Sequence, residues 1–272
     1  MRFKGKEGSK LVCSGAYKNL NIWDNKLYFT DAQGTSIYTV ENAHEAQDET
    51  QRKYADAPAG THIESMVLAK YSKACVIYLL VRTQTGYQIQ SLAIDAHDPQ
   101  YFRGAEFKGD KAWLCAKSDS LSVVVSATSA WHEYVINTPN LDSSEERSGT
   151  TSLQSALYAG DALVLQSSTS GYLQVNNGTN GQSDIGDIVD SIAHITASGQ
   201  AVLVVTSTNK VYWFNANGGT FVNDVTDKFD VQNKQIKSVG SVGDTFVCVT
   251  NDGSLMSYNP SKGQLEDIAA SK

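Results

Sequence analysis

Apolar residues along this chain come in short runs, not in helical steps. Few segments place them at i, i+3, i+4 and i+7, whereas β-branched and aromatic runs bounded by Gly, Asn, Asp and Ser recur from end to end. The pattern predicts an all-β chain. A second feature narrows it further, because the runs repeat at a near-constant interval, and a fixed period of about 20 to 50 residues changes the whole architecture.

Two C-terminal segments align without a gap and define the repeat. Residues 195–206 continue to Asn209–Asn215, and residues 239–250 continue to Gly253–Asn259. Each unit has an apolar residue, a Gly four later, a second apolar residue four after that, and an apolar or aromatic residue eight further on. The ladder also fits Ala156, Gly160, Val164 and Tyr172, and Cys115, Asp119, Val123 and Trp131. Looser copies run through Tyr71, Cys75, Leu79 and Tyr87, and through Leu11, Gly15, Asn19 and Leu27. The third-strand anchors are then Leu27, Tyr87, Trp131, Tyr172, Val211 and Leu255, at intervals of 60, 44, 41, 39 and 44 residues.

Steps of this size suit antiparallel hairpins with strands of about five residues. Gly160-Asp161, Gly243-Asp244 and Asn251-Asp252-Gly253 supply turn residues that accept positive φ. A fourth strand follows the third, as at Ser36–Val40 and residues 264–268. A four-stranded meander of about 40 residues cannot bury both faces alone, so copies must pack on one another around an axis. The expectation is one β-propeller over residues 1–272 with six four-stranded blades, seven being the alternative count. Polar insertions are expected near 41–57 and 140–150. The continuous apolar runs at 123–125, 163–165, 203–205 and 246–249 fit strands covered on both faces.

Charge narrows the choice of partner. The chain has 22 basic and 29 acidic residues, net −7, with no dense Lys/Arg cluster, which disfavours direct binding to nucleic acid. The longest apolar run, 74–81, is far shorter than the roughly 20 residues needed to span a bilayer as a helix. The N-terminus lacks the apolar stretch of a secretory signal, so a cytoplasmic or nuclear location is expected. Four widely spaced cysteines, Cys13, Cys75, Cys115 and Cys248, suggest neither a zinc knuckle nor a disulfide framework. The last three sit in apolar runs as core thiols would. The sequon at Asn177-Gly178-Thr179 is of a kind that arises by chance in a chain this rich in Ser, Thr and Asn.

The unit at 238–268, an apolar strand to Gly, a second apolar strand, Thr250-Asn251-Asp252-Gly253, an aromatic-bearing strand and Gly263-Gln264-Leu265, resembles the repeat of the regulator of chromosome condensation family. The resemblance covers about the last 120 residues best. The chain departs from the family in having six units where it has seven, in its shorter spacing, and in lacking the Trp-Gly or Tyr-Gly pair. That family includes a guanine-nucleotide exchange factor for a small GTPase, ubiquitin-ligase modules, and a partner of a small zinc protein in tRNA and diphthamide modification. The resemblance implies a propeller that binds proteins and does not select among those tasks. Trp23-Asp24 matches the tryptophan-aspartate signature once only, and ahead of the third strand.

No Gly-x-Ser-x-Gly elbow, phosphate loop, dinucleotide fingerprint or His-Glu-x-x-His helix occurs, so neither an enzyme nor a cofactor is expected. Asp95-Ala96-His97-Asp98 is the best metal-ligand cluster, but one His and two acids lack further ligands, and a polar loop accounts for it. His194 alternates with apolar residues as a strand histidine does, and His132 stands between Trp131 and Glu133. The expected function is a non-enzymatic protein-interaction scaffold or regulatory subunit that binds through a loop face. Trp23, Trp113, Trp131 and Trp213, with the acids Glu45, Asp48 and Glu49, are the candidate contacts. An acidic loop suits a basic partner and raises its association rate more than its affinity. A sugar-binding propeller, stacking glycans on exposed Trp and Tyr, is the alternative. An exchange or tRNA-modification accessory factor is the second.

Overall fold

Every described strand belongs to an antiparallel hairpin, and each sheet is drawn from strands consecutive in sequence. The computed structural model describes residues 2–5, 8–11, 17–23, 26–40, 51–71, 74–94, 100–117, 120–168, 173–176, 182–186, 188, 190–218, 221–229, 234–242, 244–251 and 255–267. A hairpin of β1 (Arg2–Gly5) and β2 (Gly8–Leu11) comes first. Sheet 1 is β3 (Tyr17–Trp23), β4 (Lys26–Asp31), β5 (Ser36–Val40) and β6 (Gln51–Asp56). Sheet 2 is β7 (His62–Tyr71), β8 (Ala74–Arg82), β9 (Tyr87–Ala93) and β10 (Phe102–Phe107). Sheet 3 is β11 (Lys111–Ala116), β12 (Leu121–Ser126), β13 (Trp131–Asn137) and β14 (Asp142–Gly149).

Sheet 4 holds β15 (Leu153–Ala159), β16 (Ala162–Ser167), β17 (Leu173–Asn176) and β18 (Gln182–Ile185). Sheet 5 holds β19 (Ile192–Ser198), β20 (Ala201–Thr206), β21 (Val211–Asn215) and β22 (Val222–Asp224), followed by a single 3-10 turn at Thr226–Lys228. Sheet 6 holds β23 (Ile236–Val242), β24 (Thr245–Thr250), β25 (Leu255–Asn259) and β26 (Gln264–Asp267). These six four-stranded sheets are the blades of a six-bladed β-propeller. The chain divides into two compact units, Met1–Thr150 with sheets 1 to 3 and Thr151–Lys272 with sheets 4 to 6.

Burial explains why the second strands are so apolar. All six residues of β12 (LSVVVS) and all six of β16 (ALVLQS) are buried, because each strand lies between two neighbours with both faces covered. Each fully buried Val or Leu contributes about 1.5–3 kcal/mol. In the first unit, Leu121, Val123 and Val125 pack with Tyr78, Leu80 and Ile89 of sheet 2. In the second, Val202, Val204 and Phe214 pack with Val164 and Val175 of sheet 4. The run 246–249 behaves differently: in β24 Phe246 and Cys248 are buried while Val247 and Val249 are half-buried, so the strand alternates.

The repeat is visible in the backbone. In sheets 4, 5 and 6 the residue after the second strand donates to the carbonyl just before the first: Ser168 to Ser152 at 2.9 Å, Ser207 to Ser191 at 2.7 Å and Asn251 to Gln235 at 2.8 Å. The first strands of sheets 2, 4, 5 and 6 each break register next to their entry residue, between Ile63 and Ser65, Leu153 and Ser155, Ile192 and His194, and Ile236 and Ser238. Such bulges add local twist and re-aim the following side chain. Side-chain amides tie neighbouring sheets inside each unit. Asn21 donates to Met66 O at 3.1 Å and accepts from Leu68 N at 3.4 Å, and Asn209 donates to Lys234 O at 2.8 Å and accepts from Ile236 N at 3.0 Å. An amide offers both a donor and an acceptor, which is what the open edge of a sheet's first strand requires.

Three expectations are corrected. Leu27 lies in β4, a second strand, and the third strand of sheet 1 is β5 at Ser36–Val40; the preceding β1–β2 hairpin imitates a blade's first strands and shifts the register by one. Tyr71 ends β7 and Cys75 lies at the start of β8, so the hairpin closes between them and not at Cys75. Residues 142–149 of the polar segment 140–150 form the fourth strand β14, and residues 51–56 of the segment 41–57 form β6. An outermost strand faces solvent and needs no apolar alternation, so polar composition suggested a loop. Residues 41–50 lie outside the described residues.

Candidate protein-binding surface

Sheet 3 carries two of the four tryptophans and a fully buried carboxylate, Glu133. Register places Trp113 beside Val124, and Val124 beside Glu133, while Trp131 pairs with Ser126. Strand alternation then puts Trp113, Cys115, Ser122, Val124, Trp131 and Glu133 on one face, opposite the cluster of Leu114, Val123 and Ile136. Trp131 is only 4% exposed. Its indole lies flat on Gly149, where a Cβ would fall 2.4 Å from Nε1, so the strand pair closes only because that position has no side chain. Trp113 is half-buried.

Glu133 is wholly buried and is held by two cations. Arg147 Nε lies 3.0 Å from its Oε2, and Lys117 Nζ lies 3.7 Å from its Oε1. Both cations also reach Glu146, at 3.8 and 3.6 Å. A bulge makes this possible. Arg147 pairs with Glu133 and Glu145 with Tyr134, leaving Glu146 as the extra residue of β14, so the consecutive Glu146 and Arg147 side chains join one network, Arg147 on the Glu133 carboxylate and Glu146 on the two cations. Burial, with the Glu133 charge as a second cause, pushes the Cys115 thiol up to about 12. That keeps it protonated and unreactive.

Among the fourth strands whose burial is described throughout, β14 is the most open. Asp142, Ser143, Ser144, Glu145 and Glu146 are consecutively exposed. Glu145 Oε1 lies 3.1 Å from His132 Nδ1, and Asn140 donates to Asp142. The turn before the strand is fixed by Leu141, which is fully buried at φ 56 and receives the Ala105 amide on its carbonyl at 3.0 Å. Leu141 fills the bulge of β10 at Gly104, where an added Cβ would come within 2.2 Å of the leucine Cβ. Blade 3 is thereby locked to blade 2 at the root of β14.

Trp23 packs in the cluster of Met66, Ile77 and Leu79 between sheets 1 and 2. In the second unit Trp213 packs with Phe246 and Tyr258, and its indole N–H bonds the Tyr258 hydroxyl. Among the described candidate contacts, Trp113 and Trp131 share one face of sheet 3. Glu45, Asp48 and Glu49 lie outside the described residues, as do Asp95–Asp98 and the sequon at 177–179. Cys75, Cys115 and Cys248 are buried free thiols as expected, and Cys13 lies outside the described residues. Among the described residues no group of three or more His, Cys, Asp and Glu is placed to hold a metal ion. Among the described residues no helix is long and apolar enough to cross a membrane. Sequence reasoning missed the Lys117–Glu133–Arg147–Glu146 network, although Glu133 amid the apolar strand 131–136 was a visible signal of a buried charge needing partners.

No family model matches the chain, and no curated protein matches it. Solved structures do. Human WBSCR16 matches at TM-score 0.61 with 12% identity over 94% of this chain and 82% of its own. The β-propeller domain of the Trilobed protease from Pyrococcus furiosus, described as having an open velcro topology, matches at TM-score 0.61 with 11% identity over 94% and 85%. The structure of Kap60 bound to yeast RCC1 (Prp20) matches at TM-score 0.58 with 8% identity over 91% and 70%. These likenesses show the propeller fold. In this chain each described blade is built from four consecutive strands.

Proposed function

We propose that this protein is a non-enzymatic interaction scaffold or regulatory subunit that binds one or more proteins through exposed outer strands and loops of its blades, with the acidic segments favouring partners of basic surface. The observation that carries this reading is the contrast within sheet 3, where a locked, charge-paired interior supports five consecutive exposed residues at the rim. Rigid sheets that present polar rims hold a binding surface without ordering cost at the moment of association. Support comes also from a neighbour of the same fold whose structure was solved with a protein bound. The aromatic contacts proposed from the sequence divide accordingly: Trp23, Trp113 and Trp213 are half-buried and Trp131 is buried, while Glu45, Asp48 and Glu49 precede β6 in sequence and lie outside the described residues.

The test is purification of the native protein at low and high salt, followed by size-exclusion chromatography and cross-linking mass spectrometry. The expected result is elution above the 29.4 kDa of the chain, with a stoichiometric partner cross-linked to blade rims and released as salt rises. Elution as a partner-free monomer at both salt concentrations would overturn the reading.

A further inference from the structure

We infer that the outer edge of β14 is a docking strip for an extended, lysine- or arginine-rich segment of a partner protein, which joins sheet 3 as an added strand alongside Asp142–Glu145. The inference rests on the protein-binding reading above and supplies the place, the geometry and the partner's chemistry.

The backbone comes first. β14 ends the order β11-β12-β13-β14, and the described backbone–backbone bonds of Asp142–Gly149 run to β13, while the Asp142 N–H donates to Asn140 Oδ1 at 3.3 Å. Among the described residues it is the longest of the six outer strands, at eight residues against six, six, four, three and four. An edge of unpaired N–H and C=O groups is a template for another strand, and strand addition draws its affinity from main-chain hydrogen bonds and its selectivity from alternate side chains. The bulge at Glu146 twists the edge and ends the flat stretch, so the usable strip is Asp142–Glu145, about 13 Å long.

Charge then selects the occupant. The single cation of β14, Arg147, is turned onto buried Glu133 and is not offered at the edge. Among the described residues Asp142 and Glu145 form no ion pair with Lys or Arg, since their partners are Asn140 and His132. Glu146, at the strip's end, is partly neutralised by Lys117 and Arg147. A second copy of the chain fits poorly. Antiparallel self-pairing centred on the strip's acidic end sets Glu145 against Glu146 of the other copy, and a shift by one residue sets Glu145 against Glu145; like charges directly across strands are destabilising. An incoming strand with Lys or Arg at alternate positions reverses the sign of those pairs.

The probe is a fluorescent seven-residue peptide alternating Lys with Thr and Val, measured by anisotropy against the full chain. Two controls carry the same charge: one with alternate backbone amides methylated, one with Pro at alternate positions. The expected result is saturable binding that weakens with salt, a loss of about tenfold in both controls and in the Asp142→Lys/Glu145→Lys variant, and slowed amide exchange confined to Asp142–Glu145. Asp142→Asn/Glu145→Gln, which leaves the backbone edge intact, should lose about half of that effect in free-energy terms, and an unchanged melting temperature in both variants confirms that these exposed changes leave the fold whole. Equal binding of the methylated peptide, full affinity in the charge-reversed variant, slowed exchange elsewhere, or concentration-dependent self-association that protects β14 would each overturn the strip. A native partner retained by the charge-reversed variant, with cross-links elsewhere, sinks the strip alone; a native protein with no partner sinks the protein-binding reading itself.

Discussion

At the scale of single residues, blade 3 is held by side chains whose sequence context gives little hint of their role. Leu141 adopts φ 56, a region costly for a branched apolar residue, and holds it because its side chain fills the bulge opposite Gly104. Adding a methyl there drives it into Leu141, so Gly104→Ala should destabilise the protein by about 1–3 kcal/mol and Leu141→Ala by about 3 kcal/mol, both measurable as urea midpoints. Leu141→Ala keeps the Cβ and the carbonyl that the added methyl meets, so it leaves the Gly104→Ala clash in place and the double variant should be less stable than either single one. Glu133 makes a second case. Removing a fully buried charge strands Arg147 and Lys117, and Glu133→Gln should cost about 3 kcal/mol in the same measurement. A change within about 0.5 kcal/mol would mean that the network is solvated and the carboxylate dispensable.

At the scale of elements, the hairpin ladder placed the first and second strands of sheets 3 to 6 and the third strands at Trp131, Val211 and Leu255, because apolar strands are bounded by turn residues at a constant distance; its positions Asp119, Tyr172 and Gly243 lie outside the described residues. It failed at sheet 1, where the Leu11-to-Leu27 spacing fits the ladder but spans a separate hairpin and the first two strands of the blade. It failed again for β14, since DSSEERSG has no apolar residue and its pairing is decided by β13 beside it. The bulged first strands were not legible at all, as Ile192-Ala193-His194 looks like plain alternation. That bulge matters for His194, whose ring bonds the backbone of Ile236 on β23. Burial holds its pKa below the usual 6.5, nearby Lys237 acts in the same direction, and the Ile236 bond opposes both. The unfolded chain therefore takes up the proton first as pH falls. The stabilisation is complete above 6.5 and is lost as pH drops from 6.5 through the folded-state value. Denaturant midpoints across that window should fall less steeply in His194→Gln than in the unchanged protein, and parallel slopes would refute the linkage.

At the scale of the whole molecule, each unit keeps its own cores, and the three described thiols are sealed within them. Burial pushes Cys115 and Cys248 up to about 12, with the Glu133 charge adding to Cys115. Cys75, Cys115 and Cys248 should resist an aromatic disulfide reagent at mildly alkaline pH while the protein is folded and react fully in denaturant, followed by peptide mass spectrometry. Rapid native labelling of any of the three would show that its blade opens. The sequence by itself determined the all-β class and the six-fold repeat, because burying both faces of a central strand demands apolar runs, and closing a hairpin demands turn residues at a fixed spacing. It also placed three cysteines and the valine runs in the core. Only the tertiary structure decided that a wholly polar segment is a strand, that Trp131 is spent on packing against Gly149, and that Glu133 meets Lys117, Arg147 and Glu146. Those outcomes depend on which backbone lies alongside, and a residue's own neighbours in sequence carry no record of that.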